Sequence, residues 1–275
     1  VSRRRPAWPG HQAVPATPAG VTRLDRVEQT RDPLTGPPLT PRTAVIWSVL
    51  RAELDRRAGT RLTVLDVGGG TGGFAVPLAQ AGHQVTVVDA SPDALAALTR
   101  RAAEAGVADR IRAVQGDGDA LAGLVEPGSV DLVLCHAVLE VVDDPAPVVA
   151  ALVAALRPGG AASVLVAGRA AAVLARATNG HLDVAAALAA DPDGTAGPRD
   201  TLRRRFDVEG ATALVRSAGA VVEEIHGVRV LADLLPAAVA DGQPAALVEL
   251  ERALAGRSPY RDLAAALHVF ARRPA

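Results

Sequence analysis

The sequence has no lysine and no methionine, a single cysteine (Cys135) and an aromatic content of 2%. Each shortage closes off a class of protein. One cysteine excludes a disulfide framework and a cysteine-based zinc site, and fits a reducing, cytoplasmic location. With so few rings, alanine, valine and leucine must fill the core of a chain that is 49% hydrophobic. No apolar run reaches the ~18 residues a membrane span needs, so no membrane association is expected. A formal net charge of -1 gives no global pull toward nucleic acid. Any such pull must come from local clusters of the 29 arginines. The stretch "VSRRRPAWPGHQAVPATPAG" carries basic residues but no apolar segment after them, so it does not read as a secretory signal. Residues 1–40 are Pro-rich and aperiodic, and read as a disordered tail.

Order is expected to begin near Pro41. Val45, Ile46, Val49, Leu50 and Leu54 recur at helical spacing, with Gly59 as the stop. Strands and helices then alternate. Apolar runs at 62–67, 84–89, 111–116, 130–136 and 161–168 read as strands, and 73–81, 91–106 and 145–160 as helices. The second of these helices opens with Ser91 as N-cap and Pro92 in its first position. This alternation predicts an α/β fold, a mostly parallel sheet with helices on both faces. The pattern breaks at 169–206, which reads as an insertion over the C-terminal edge of the sheet. Helices at 208–218 and 245–256 and strands at 220–231 and 262–274 follow, so an antiparallel pair is expected at one edge, seven strands in all.

The stretch "LDVGGGTGG" places five glycines between a predicted strand and a predicted helix. There an open α/β sheet binds its ligand, against backbone N–H groups at a helix N-terminus. Gly68, Gly70 and Gly73 satisfy G-x-G-x-x-G, a pattern too common to identify a nicotinamide dinucleotide. The flanking acids discriminate. Asp89 ends the second strand at the offset of a ribose-binding acid and suits any cofactor with a ribose diol. Asp66 lies two residues before Gly68. A carboxylate repels a pyrophosphate but attracts the ammonium and sulfonium of S-adenosylmethionine. Asp66, Gly68, Gly69, Gly70 and Asp89 are therefore candidate contacts to that cofactor. Gly118 and Asp119, after the third strand, are placed at its adenine edge, and His136 and Glu140, after the fourth, at the C-terminal rim above it. No metal site is expected.

The stretches "VLDVGGGTG", "GHQVTVVDAS", "VDLVLCHAVLEVVDDP", "LRPGGAASVLV", "GVRVLADLL" and "SPYRDLAAALHVFARRP" together resemble the class I S-adenosylmethionine-dependent methyltransferases. Within them the resemblance is to the tRNA 5-carboxymethoxyuridine methyltransferases, over residues 40–274. It implies a Rossmann-like class I methyltransferase fold, and methylation of a carboxylate on the wobble uridine of tRNA. It also implies that Arg42 holds the methionine carboxylate of the cofactor, and that Gly68, Gly69, Asp89, Gly118, Asp119 and His136 occupy the family's cofactor positions.

An acceptor carboxylate is ionised at neutral pH and needs no general base. A phenol or alcohol would need one, with His136 the candidate. A carboxylate substrate calls for a bidentate arginine, for which Arg229 comes first and Arg169 second. The local basic patch for tRNA is Arg199, Arg203, Arg204 and Arg205. Trp47 reads as core; Tyr260 and Phe206 are further rings for stacking a base. The rival functions are methylation of a small-molecule acid or other O- or N-acceptor, and non-catalytic binding of S-adenosylmethionine.

Overall fold

The predicted alternation closes into one seven-stranded sheet in a computed structural model that describes residues 40–117, 121–198 and 200–275. The expected tail (apart from Thr40), Gly118, Asp119 and Arg199 lie outside the described residues. The strands are β1 (Thr63–Val67), β2 (Gln84–Asp89), β3 (Ile111–Gln115), β4 (Val130–His136), β5 (Leu156–Ala167), β6 (Val221–Val228) and β7 (Ala266–Arg272). Their order is β3-β2-β1-β4-β5-β7-β6. The first five are parallel; β7 runs antiparallel to both β5 and β6. The order reverses between β1 and β4, which opens a crevice at the C-terminal ends of those strands.

The helices are α1 (Ala44–Arg56), α2 (Ala75–Gln80), α3 (Pro92–Glu104), α4 (Leu121–Leu124), α5 (Pro145–Ala155), α6 (Arg169–Thr178), α7 (Leu182–Ala190), α8 (Val208–Ser217), α9 (Ala237–Gly242) and α10 (Pro244–Ala255). Alternation along the strands divides the core in two. Val64, Leu132, Leu134 and Phe270 pack with α1, α2 and α3. Leu65, Val133, Cys135 and Val269 pack with α5 and α8 on the other face. Leu50 and Leu98 are fully buried, each stabilising the fold by roughly 1.5–3 kcal/mol. Ser91, Asp144 and Asp207 each accept a backbone N–H at a helix start, worth about 1 kcal/mol apiece.

Helix α5 is shorter than the predicted 145–160. It ends at Ala155, and Leu156 is already extended at ψ 141°. Pro158 bars Arg157 from helical geometry, so the segment before it joins β5 instead. After β5 the chain leaves the sheet through the paired helices α6 and α7 and returns at Phe206. There Arg169 N–H donates to Phe206 O at 2.8 Å and Phe206 N–H to Ala167 O at 2.9 Å. Among the described residues no helix is long and apolar enough to cross a membrane.

Candidate functional site

The glycine loop follows β1 and is folded against its own neighbours. Gly68 has φ +69° and Gly70 φ +55°, the left-handed region that disfavours side chains. A Cβ on Gly68 would meet Val138 Cγ2 at 2.3 Å, and one on Gly69 would meet Asp66 Oδ2 at 2.5 Å. Gly70 N–H donates to Asp89 Oδ2 at 2.8 Å, and Ser91 N–H to Asp89 Oδ1 at 2.9 Å. Asp89 thus ties the loop to the end of β2. A cleft of about 270 Å³ opens beside it, walled by Val67, Gly68, Val88, Asp89, Ala137 and Val138. Asp66 lies beneath the loop, 1% exposed, with Oδ2 unpartnered among the described residues. Burial, helped by the charge of Asp89, pushes its carboxyl up to about 7.

Beyond the loop, rings connect three elements. Trp47 of α1 stacks on Phe74 at 5.1 Å, and Phe74 meets the edge of His136 at 4.8 Å. Trp47 is core, as its helical position predicted. His136 Nε2 lies 2.9 Å from Ser163 Oγ. Burial draws this imidazole down to about 4, partly opposed by a hydrogen bond to the Ser163 backbone, so it is neutral at pH 7. Glu140, placed on the rim by its sequence position, is instead only 4% exposed, its carboxyl raised by burial.

A second cavity, of about 770 Å³, brings Arg42 and Arg229 together with Asp233, Leu235 and Leu247. Arg229 Nη1 is 3.1 Å from Asp233 Oδ2. Its backbone has φ +59°, a strained value for a residue with a side chain. The next three N–H groups, of Val230, Leu231 and Ala232, all donate to the carboxylate of Glu251, each at 2.8 Å. Three successive N–H groups form an anion-binding nest, filled here by a carboxylate from α10. Glu251 is fully buried. Sequence reasoning missed it, though a signal was there. Leu247, Val248, Glu251 and Ala255 share one helical face, so the acid falls on the apolar side.

The two arginines proposed to bind a substrate do not meet. Arg169 lines a separate cavity with Pro192, Arg204, Arg205 and Phe206, and donates to the Pro192 carbonyl. The arginine cluster is bonded internally. Arg204 donates to the carbonyls of Leu139, Val142 and Asp143, Arg203 to that of Val141 and to the Asp143 carboxylate, and Arg205 to Asp200. The guanidiniums of Arg203 and Arg204 clamp the end of the insertion to the turn after β4, and that of Arg205 ties the insertion to itself.

A family model described as a methyltransferase domain matches residues 64–160. The tRNA 5-carboxymethoxyuridine methyltransferase of Escherichia coli (strain K12) is 33% identical over 235 residues, covering 85% of this chain and 88% of that protein. A ubiquinone biosynthesis O-methyltransferase of Xanthomonas euvesicatoria is 34% identical over 170 residues, 62% of this chain and 66% of that protein. Among solved structures, an S-adenosylmethionine-dependent methyltransferase from Mesorhizobium loti superposes with a TM-score of 0.57 at 23% identity, covering 83% of this chain and 98% of that one, a likeness of fold.

Proposed function

The chain belongs to the class I S-adenosylmethionine-dependent methyltransferases, and from that premise we propose that it esterifies the carboxylate of 5-carboxymethoxyuridine at the wobble position of tRNA. The residues present fit the cofactor. The cleft beside Gly68 has apolar walls suited to a base and ends at Asp89, whose carboxylate has acceptor capacity left for a ribose diol. The unpartnered oxygen of Asp66 suits a cation above the loop. When bound, the cofactor supplies a methyl group on a positively charged sulfur.

The observation that carries the reading is the pairing of Arg42 and Arg229 in one cavity. Two guanidiniums there serve two carboxylates: Arg42 that of the cofactor's methionine, Arg229 that of the acceptor. Asp233 Oδ2 lies 3.1 Å from Arg229 Nη1, and a guanidinium carries five N–H donors, enough for a second, bidentate partner. An acceptor carboxylate with a pKa near ~4 is already anionic, so catalysis reduces to positioning and desolvation. His136, neutral at pH 7 and bonded to Ser163, has no charge to offer and no proton it must remove. The match to the Escherichia coli tRNA enzyme spans 235 residues, well beyond the 64–160 core, which favours that acceptor over a quinone precursor. Arg199, Gly118 and Asp119 keep their proposed roles outside the described residues.

The test is to incubate tRNA from a strain lacking this gene with the enzyme and methyl-labelled S-adenosylmethionine, then digest it and analyse the nucleosides by mass spectrometry. The expected product is the methyl ester of 5-carboxymethoxyuridine. Label absent from tRNA, with cofactor binding shown in parallel, removes the tRNA substrate and leaves small-molecule acids.

A further inference from the structure

The cavity that joins Arg42 and Arg229 also holds two carboxylates, those of Asp233 and of Asp241 on α9. Two positive and two negative groups leave it formally uncharged, so it attracts no anion as a whole. Within it the two arginines differ. Arg42 is exposed and has no carboxylate partner among the described residues. Arg229 is met by Asp233, four residues further on, with Nη1 3.1 Å from Oδ2. Asp241 pairs with neither arginine.

Most exposed ion pairs join two flexible side chains and are worth little. Here the backbone brings the pair together. Arg229 O accepts the N–H of Ala265 at 3.2 Å, and Ala232 N–H donates to Glu251 at 2.8 Å. On the far side of Asp233, the N–H groups of Leu234 and Leu235 both donate to Leu231 O, at 2.8 and 3.1 Å. Both stems are thus held, and Asp233 stands at Arg229 because the turn puts it there. The contact itself is loose: a single approach, with the two side chains 31% and 38% exposed. One approach does not fix the plane of the guanidinium as a bidentate pair would. Asp233 therefore does little to aim the fork, yet its charge sits beside any anion that enters it.

We infer that Asp233 is a specificity-determining residue, whose fixed negative charge screens Arg229 and shifts the cavity's choice from dianions, such as phosphate monoesters, toward a monoanionic carboxylate. The physics is that of two anions on one guanidinium. Whatever pairs with Arg229 is repelled by the Asp233 carboxylate in proportion to the charge it brings. At about 6 Å in water-like surroundings a monoanion loses about threefold in affinity, and a dianion, with twice the energy, about tenfold. An acceptor carboxylate bears the smaller penalty, and a bidentate contact with the guanidinium offsets it. The screening rests on the ion pair alone; that the favoured carboxylate belongs to the methyl acceptor rests on the function proposed above.

The test is NMR on protein labelled with ¹⁵N-arginine, following the side-chain Nε–H of Arg229, assigned by its loss in Arg229→Ala. Sodium acetate and sodium sulfate are the probes, titrated at pH 7.5 and matched ionic strength. Asp233→Asn is expected to bind acetate about threefold and sulfate about tenfold more tightly than wild type. Asp233→Glu restores the charge and returns both values toward wild type. Asp241→Asn removes a charge from the same cavity without freeing Arg229, and changes both by less. Thermal melts report that each variant is folded. Unchanged or weaker anion binding in Asp233→Asn, an equal gain for the two anions, or an equal effect of Asp241→Asn overturns the inference. Acceptor KM in the methylation assay gives a second readout. Asp233→Asn lowers it about threefold when the carboxylate competes; a raised KM makes Asp233 the group that orients Arg229 and also overturns the inference. The titration decides the matter whether or not tRNA proves to be the acceptor.

Discussion

Replacing Glu251 by glutamine tests how the Arg229 turn is built. The carboxylate accepts three backbone N–H groups at 2.8 Å with no solvent contact. A glutamine can keep the two bonds made by Oε1, to Leu231 and Ala232, only by turning its NH2 toward the N–H of Val230. That leaves a donor against a donor inside the protein, costing about 1–3 kcal/mol. The two surviving bonds fall from charge-assisted to neutral, about 1 kcal/mol each. The sum, about 3–5 kcal/mol, is a large part of the stability of a typical domain. The turn also releases Arg229 from φ +59°, a conformation otherwise held by its pair with Asp233 and by the Ala265 N–H that donates to its carbonyl. Urea unfolding should show the stability loss. Steady-state kinetics should show acceptor KM up about tenfold, equal to ~1.4 kcal/mol, with S-adenosylhomocysteine affinity within about twofold. The kinetic effect should vanish when Arg229 is already alanine. A Glu251→Gln protein with wild-type stability and KM would refute the reasoning, and an equal KM effect without Arg229 would make the carboxylate a purely structural support.

Asp66 gives a pH signature. Its folded pKa of about 7 stands above the unfolded value of about 4, so the folded state holds more protons between them; stability should fall as pH rises through that window and level off above it, a slope that Asp66→Asn removes. A cationic ligand favours the ionised form, so calorimetry should show S-adenosylmethionine affinity rising as pH passes through 7 in wild type and staying flat in Asp66→Asn. Gly68→Ala adds a Cβ at 2.3 Å from Val138 Cγ2 in a left-handed conformation, and should lower cofactor affinity at least tenfold, about 1.4 kcal/mol, in the same titration. Cys135 is buried and its thiol is pushed far above the ordinary range, so iodoacetamide should label it only after denaturation; labelling of the native protein would contradict the packing of β4.

The fold was legible because local signals agreed. The run 84–89 is a strand at both ends as read, and Ser91 with Pro92 starts α3 as its cap chemistry requires. The boundary misread at α5 followed from weighing Pro158 as the stop, when the residue before a proline is already barred from the helix. Within the site, Gly68 to Gly70 and Asp89 were readable because their work is local: a turn, a strand end, one hydrogen bond between them. Glu251 and Ser163 bond Val230 and His136 across 21 and 27 residues of sequence separation. No periodicity reports such partners; the only hint is a polar residue on an apolar face. The arginine cluster shows the converse. Charge runs are visible in sequence, but whether Arg203 and Arg204 face solvent or clamp carbonyls is decided by the turn at 139–143, which lies about sixty residues away.

The account stands most directly on Arg229 as the group that reads the acceptor carboxylate. The decisive measurement compares Arg229→Ala with wild type in two assays, acceptor KM in the tRNA methylation reaction and S-adenosylhomocysteine affinity by calorimetry. The account predicts KM raised by about tenfold to a hundredfold, the loss of a charge-assisted pair, with cofactor affinity within about twofold. An unchanged KM, or a parallel loss of cofactor binding, would contradict it.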